Sequence, residues 1–283
     1  MAELPAPAGA EDLPAIRAFL QDQLPLAFYP LTNLDTYGLG GDHPRAMRFW
    51  LWRRGQDVTD ALGVSTQGFL YPIFTSDPLF AAATLLAGSL TIGLGGPPKL
   101  LMRFHAALRV TGRPSRDYTE PCYHLPLDQL VMPPIGTLAL CPLEAAPAGL
   151  LTSWRALFLM ETQGALPDSA MSRAMGEMGD IRAGGRYRVL MNGAQPVAMT
   201  GFNAMAGQAV QVGGVFTPPE LRGRGYGRIA VALHLRAALK QGVTDAYLSA
   251  ATATAARAYE SLGFSPYGSY RAMIYEEGQV IRG

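Results

Sequence analysis

Val215-Phe216-Thr217-Pro218-Pro219-Glu220-Leu221-Arg222-Gly223-Arg224-Gly225-Tyr226-Gly227 is the most informative stretch of the chain. It reads as a strand, a turn fixed by two prolines, and three glycines at alternate positions that lead into an apolar helix. Glycine at 223, 225 and 227 lets the backbone approach a ligand without side-chain obstruction. The first amides of a helix have no intrahelical acceptor, and the helix dipole adds partial positive charge beside them. Together these features make a seat for a phosphate. Arg222, Arg224 and Arg228 add charge without supplying the geometry. The spacing is not G-x-x-x-x-G-K-[ST], so a P-loop is excluded. It is G-x-G-x-G rather than G-x-G-x-x-G, and no acidic residue ends a strand some twenty residues on, so a dinucleotide fold is not expected. A tight turn or helix cap with no ligand is the alternative that this segment alone leaves open.

Around this loop the second half of the sequence has clear periodicity. A strand is expected at Thr137 to Cys141, a helix at Pro147 to Thr162, and a second helix at Asp168 to Gly179 capped by Asp168 or Ser169. Three strands follow in meander (Arg186 to Asn192, Pro196 to Met205, Ala209 to Phe216), with Asn192-Gly193 and Ala206-Gly207 as turns. After the Gly-rich helix (Tyr226 to Gln241) come a strand (Ala246 to Ala250), a helix (Thr254 to Leu262) and a final strand (Tyr270 to Tyr275). The first half is less regular. It reads as a helix at Leu13 to Gln21, a looping segment bounded by Pro25 and Pro30, and strands at Arg45 to Arg53 and Gly68 to Phe74. A helix at Pro78 to Ala87, a strand at Leu90 to Leu94, a helix at Pro98 to Val110 and a strand at Cys122 to Leu127 complete it. The prolines at 114, 121, 126, 133 and 134 mark the linker. The fold class is α/β (α+β): a mixed, mostly antiparallel sheet flanked by helices, with one parallel step across the Gly-rich helix. Two domains are expected, 1–128 and 129–283, as suits a chain of 283 residues.

Composition narrows the function. Twenty-three Lys and Arg against 22 Asp and Glu leave a net charge of +1, which gives no sign of a nucleic-acid partner. Hydrophobic residues at 49% and charged ones at 16% allow an ample core. Cys122 and Cys141 are too few for a disulfide framework and lack metal-ligand spacing, so a reduced, cytoplasmic protein without a metal is expected. The N-terminal MAELPAPAGAEDLPAI has neither the positive region nor the apolar region of a secretory signal. Leu79 to Gly96 carries no charge, but Gly88-Ser89 interrupts it, so it reads as a buried helix and then a strand rather than a membrane span.

Arg222-x-x-Gly225-x-Gly227 resembles the [Q/R]-x-x-G-x-[G/A] pyrophosphate loop of the GNAT acetyltransferase superfamily, and Val215-x-Thr217-Pro218 looks like that family's fourth strand. Downstream, Ala255-Ala256-Arg257-Ala258-Tyr259-Glu260-Ser261-Leu262-Gly263-Phe264 is similar to its A-[IV]-x-L-Y-E-x-x-G-F helix and turn. The likeness covers roughly Pro134 to Tyr275. It implies an acyl-coenzyme A, most often acetyl-CoA, as co-substrate. The backbone from Arg222 to Gly227 would hold its pyrophosphate, with Gly223, Arg224 and Tyr226 in the loop and Arg228 behind it. The strand end Val215-Phe216-Thr217 would pair with the pantetheine arm. Tyr259 stands where the family keeps the general acid that protonates the departing sulfur. Thr252 stands where the family often has an asparagine, which leaves one polar contact to pantetheine in question. The strand AVQVGGVF has no carboxylate where several relatives keep a base, and Gln211 takes no proton at neutral pH. Glu161, Asp168 and His234 could be offered for that base, with a solvated helix end, an N-cap and a core histidine as their plainer readings; deprotonation through a water chain, or an amine already neutral when bound, is expected instead, and no base is named.

The resemblance thus implies acetyl transfer to a primary amine of a small-molecule or amino-acid-like acceptor, with no nucleic-acid or membrane partner and a homodimer left open. A longer acyl-CoA donor and a catalytically silent acyl-CoA sensor are the alternatives. The first half echoes the order of the second and is read as a degenerate GNAT-like domain that lost coenzyme binding. Its Leu90 to Pro98 is taken as the analogue of the Gly-rich loop. Tyr29, Asn33, Asp35, Tyr37 and Trp50 are polar and aromatic enough to line an acceptor pocket there, but ordinary core and loop positions are the favoured reading of them.

Overall fold

The computed structural model describes residues 5–283, so the first four residues of the N-terminal stretch lie outside the described residues. In chain order the first half contains β1 (Ala6–Pro7), α1 (Leu13–Asp22), α2 (Phe28–Tyr37), β2 (Met47–Arg54), β3 (Asp57–Ser65), β4 (Phe69–Phe74), α3 (Leu79–Leu85), β5 (Leu90–Gly96), α4 (Pro98–Leu108) and β6 (Arg116–Pro126). The second contains β7 (Leu138–Pro142), α5 (Ala148–Gln163), α6 (Pro167–Ala183), β8 (Tyr187–Asn192), β9 (Gln195–Ala206), β10 (Ala209–Phe216), α7 (Tyr226–Leu239), β11 (Asp245–Ser249), α8 (Ala253–Glu260) and β12 (Ser265–Val280). The order is the same twice: a strand, two helices, a three-strand meander, a helix, a strand, a helix and a closing strand. The meander is antiparallel in both halves. Its last strand pairs in parallel with the next, β4 with β5 and β10 with β11. A parallel step requires a crossover, which α3 and α7 provide.

The chain divides into two compact units that do not coincide with its halves: residues up to Pro121 together with Gly268–Gly283, and Cys122–Tyr267. The closing strands account for this. Cys122 to Pro126 of β6 pair with β11, whereas Arg271 to Val280 of β12 pair with β5. A linear boundary at 128/129 cannot represent such an exchange, because strand partners are chosen by non-local pairing.

In the first unit, Leu79 and Ala82 of α3 and Leu101, Phe104 and Leu108 of α4 pack on Leu62, Leu70, Leu94 and Met273. In the second, α7, α8 and the turn after it bury Val231, Leu235, Tyr259 and Leu262 against Phe202, Val210, Val212, Ala246 and Leu248. On the other face Leu151 and Trp154 of α5 and Met178 of α6 meet Tyr187, Val189, Met199 and Phe216. Residues 229 to 235 of α7 are all buried, as expected of a helix apolar on every side.

Several local expectations change. Residues 28–37 are the helix α2 rather than a loop, since Pro30 lies in its first turn, where no amide hydrogen bond is lost. A whole strand, β3, runs through the polar start Asp57-Val58-Thr59-Asp60. Neither Asp168 nor Ser169 caps α6: Leu166 is the N-cap, and the Ser169 hydroxyl donates back to the Leu166 carbonyl at 2.9 Å. Residues 79–96 form α3 and then β5, and among the described residues no helix is long and apolar enough to cross a membrane. Leu90 to Gly96 is the counterpart of β11, so it is not the analogue of the Gly-rich loop; the turn between β4 and α3 is.

Candidate active site

The parallel pairing of β10 and β11 runs only from Ala209↔Asp245 to Gln211↔Tyr247. Beyond that rung β10 continues to Phe216 and β11 to Ser249 without pairing to each other. β10 remains on β9, but its register shifts between Gly213↔Gly201 and Phe216↔Met199. Gly214 sits in this bulge at φ +60°, a backbone that favours glycine. The Tyr187 ring lies against it: a Cβ on Gly201 would stand 2.5 Å from that ring, and one on Gly214 would collide with it. The Tyr187 hydroxyl donates to Asn203 Oδ1 at 2.9 Å, fixing the ring. A bulge bends its strand and ends pairing, so the fork is built by glycines that admit an aromatic ring. Along Val212 to Phe216 the side of β10 towards β11 has no strand partner and can accept an extended ligand.

The loop after the fork is tightened by the Leu221 amide on the Pro218 carbonyl (2.9 Å) and the Arg222 amide on the Pro219 carbonyl (3.2 Å). Gly223 and Gly225 then take the left-handed conformation, at φ +79° and +76°, and Gly225 caps α7. The first bond of the helix runs from the Ile229 amide to the Gly225 carbonyl at 3.0 Å. Among the described residues the amides from Gly223 to Arg228 donate to no protein acceptor. A Cβ on Gly223 would meet nothing within 4 Å, and one on Gly225 only Arg228 Nη2 at 3.6 Å, so the turn is open. Gly227 serves packing instead, since a Cβ there would stand 3.2 Å from Thr217 Oγ1 and 3.6 Å from Val215.

The three arginines differ. The Arg222 guanidinium donates to the Thr217 carbonyl at 2.9 Å and to both oxygens of Glu161 at 2.8 and 2.7 Å, over the Phe216 ring. It ties the loop to the strand end and to α5, and its charge is matched by Glu161. It also takes up the Thr217 carbonyl that was expected to face pantetheine. Arg228 reaches Ser261 Oγ at 3.3 Å, at the end of α8, and its Nε is buried without a partner. Arg224 is exposed and makes no ion pair among the described residues. Tyr226 leans on the core patch of Ile229 and Leu233.

Tyr259 lies on α8 with 9% of its surface exposed, edge-on to Phe264 at 6.0 Å. Its hydroxyl makes no hydrogen bond among the described residues, and burial pushes its pKa up to about 12. It therefore keeps its proton at neutral pH and has it free to give. Thr252 holds the start of α8, where its hydroxyl accepts the Ala255 amide at 3.1 Å and caps the helix.

The candidate bases are not brought to this place. Glu161 is held by Arg222. Asp168 is exposed in the first turn of α6. His234 is buried on α7, stacked on Phe202 at 3.8 Å, with burial and the Arg188 charge lowering its pKa to about 3. In the first unit, the proposed pocket residues have separate partners. Asp35 pairs with Arg17 (2.8 Å), Tyr37 stacks on His43 (3.9 Å), Tyr29 tilts on Tyr270 (5.9 Å), Asn33 points at Met47 Sδ (3.9 Å) and Trp50 packs on the core.

The sequence matches the Acetyltransferase (GNAT) family over residues 151–264. That region is a GNAT acetyltransferase domain. It spans the fork, the glycine loop and Tyr259. No curated protein matches the chain. Among solved structures, a GCN5-related N-acetyltransferase from Sphaerobacter thermophilus aligns at 14% identity, TM-score 0.55, over 100% of this chain and 98% of that one. An acetyltransferase from the GNAT family from Colwellia psychrerythraea aligns at 12% identity, TM-score 0.53, over 98% of each chain. A tandem GNAT protein from the clavulanic acid biosynthesis pathway aligns at 15% identity, TM-score 0.53, over 99% and 98%. At these identities the likeness is one of fold. It extends the GNAT architecture over the whole chain, in agreement with the repeated element order.

Proposed function

We propose that the chain transfers an acetyl group from acetyl-CoA to a primary amine of a small-molecule or amino-acid-like acceptor. The observation that carries this reading is the run of unpartnered amides from Gly223 to Arg228 beside an unpaired strand edge. Outward-facing amides at a helix start bind a diphosphate, and the free edge of Val212 to Phe216 pairs with the arm that follows it. The Tyr259 hydroxyl, unpartnered and protonated, supplies a proton to the sulfur as the carbon–sulfur bond breaks. Arg222 acts by shaping the loop, while Arg224 and Arg228 bring positive charge to the diphosphate. The first unit is read as having lost coenzyme binding.

The test is thermal stabilisation by acetyl-CoA followed by turnover on a panel of primary amines. Saturating acetyl-CoA raises Tm by mass action, and coenzyme A is released only with an amine present. No shift at saturating acetyl-CoA overturns the reading. A shift without release on any amine favours an acyl-CoA sensor, and faster release from longer acyl-CoAs reassigns the donor.

A further inference from the structure

Acetyl transfer requires the acceptor nitrogen to lose a proton, and none of the carboxylates or histidines considered above stands at the fork. The rung at which β10 and β11 part extends across a third strand: Gln211 pairs with Tyr247, and Tyr247 with His124 of β6. Their neighbours Val210, Val212, Ala246, Leu248, Tyr123 and Leu125 all lie in the core under α7 and α8, where Tyr259 is. Successive side chains of a strand alternate between faces, so Gln211, Tyr247 and His124 share the opposite face. Each is only half-buried.

On that face His124 Nε2 meets Asp245 Oδ1 at 2.7 Å, and the Thr244 hydroxyl donates to Asp245 Oδ2, also at 2.7 Å. Burial raises the Asp245 pKa, but the hydrogen bonds from Thr244 and His124 outweigh it and hold the group below its ordinary value. An ionised carboxylate only accepts hydrogen bonds, so it fixes the proton on Nε2. The lone pair is then on Nδ1, which has no partner among the described residues. The imidazole stacks on Tyr247 (4.5 Å, 21°), which meets Tyr267 edge-on at 5.7 Å. From β12, Ser265 Oγ donates to the His124 carbonyl at 3.5 Å. Beside this pair, Gln211 Oε1 is buried without a hydrogen-bond partner.

We propose that His124, oriented by Asp245, is the base that takes the proton from the acceptor amine. The inference rests on the acetyl-transfer reading. In the reaction the acceptor ammonium first gives a proton to His124 Nδ1, and the freed lone pair bonds to the thioester carbonyl carbon. The carbon–sulfur bond breaks, and the sulfur takes the Tyr259 proton from the other face of the sheet. The new amide nitrogen then gives its surplus proton to the Tyr259 phenolate and His124 releases its proton to solvent, leaving an amide and a free thiol.

The experiment uses the full chain, as His124→Gln and Asp245→Asn, with acetyl-CoA and two acceptors. Benzylamine is mostly protonated at neutral pH and needs a base; hydroxylamine is mostly neutral and does not. Acetyl-CoA affinity by calorimetry remains within about twofold of wild type in both variants. With His124→Gln, kcat/KM for benzylamine falls about 100-fold and its rise with pH moves up to the ionisation of benzylamine itself, whereas hydroxylamine loses less than about fivefold. Asp245→Asn keeps the imidazole and falls about tenfold for benzylamine alone. Equal losses for both amines, or an unmoved pH profile for benzylamine, overturn the assignment and make the pair structural. Absence of acetyl-CoA binding, or turnover of neither amine by wild type, defeats the transfer reading itself and the base with it.

Discussion

The chain makes the same strand-to-helix turn twice, after β4 and after β10, and fills it differently. In both units the parallel pairing stops early, at Leu70↔Leu94 and at Gln211↔Tyr247, while the inner strand runs on. After β10 the amides from Gly223 to Arg228 have no protein acceptor among the described residues. After β4 the turn is Thr75 to Pro78, without a glycine, and the amides of its first two residues are taken. Those of Thr75 and Ser76 donate to Asp60 Oδ1 at 2.7 and 2.8 Å, and the Ser76 hydroxyl to Oδ2 at 2.9 Å. Asp60 is 2% exposed. One turn thus carries its own anion and the other is free to bind one. The helix after the next strand differs likewise: α8 buries Tyr259, and α4 buries Phe104, which has no hydroxyl. A shared backbone path does not conserve a site; a few donors and acceptors decide it.

The largest expected effect removes the hydroxyl that distinguishes the units. Tyr259→Phe lowers kcat about 100-fold with the calorimetric affinity for acetyl-CoA unchanged, whereas full activity in the variant removes the acid assignment. Next comes the resident anion of the first unit. Asp60→Ala leaves two amides and a hydroxyl without their acceptor and costs about 2 kcal/mol, seen as a lower denaturation midpoint, with acetyl-CoA affinity unaltered. Increased stability would show that the carboxyl group strains the turn instead of satisfying it.

A smaller change is expected from Gly225→Ala. A Cβ at φ +76° costs about 1–2 kcal/mol, and acetyl-CoA affinity falls about tenfold in calorimetry, further than for Arg222→Ala, whose guanidinium faces Thr217 and Glu161. The reverse ranking would mean that charge, not backbone, holds the diphosphate. The smallest effect is one of pH. With its pKa pushed up to about 12, Tyr259 stays protonated below that value. kcat therefore shows no alkaline limb from about pH 7 to about pH 10, and a limb in that range would belong to another acid.

Much of the second half was legible in the sequence, because its signals are local. Alternation fixed β8 to β10, and Asn192-Gly193 and Ala206-Gly207 fixed the hairpins between them. The loop was readable because only glycine suits φ +79° and +76° at 223 and 225. What was not legible depends on distant partners. The strand β3 is hidden because Asp60, a residue that strands disfavour, is buried there for its bonds to Thr75 and Ser76. The exchange of β6 and β12 leaves no periodic trace, so His124 was assigned to the wrong unit and its contact with Asp245, 121 residues away, had no signal. The motif marks the Arg222 backbone, but the partner of its side chain, Glu161 on another helix, has no local signal.

Amide hydrogen exchange with and without acetyl-CoA tests the central claim most directly. Peptides covering Gly223 to Arg228 exchange more slowly once acetyl-CoA is added, while those covering Thr75 to Pro78, where the Thr75 and Ser76 amides are already bonded to Asp60, do not change. Unaltered exchange at 223–228 under saturating acetyl-CoA, or protection appearing at 75–78 instead, would contradict the account.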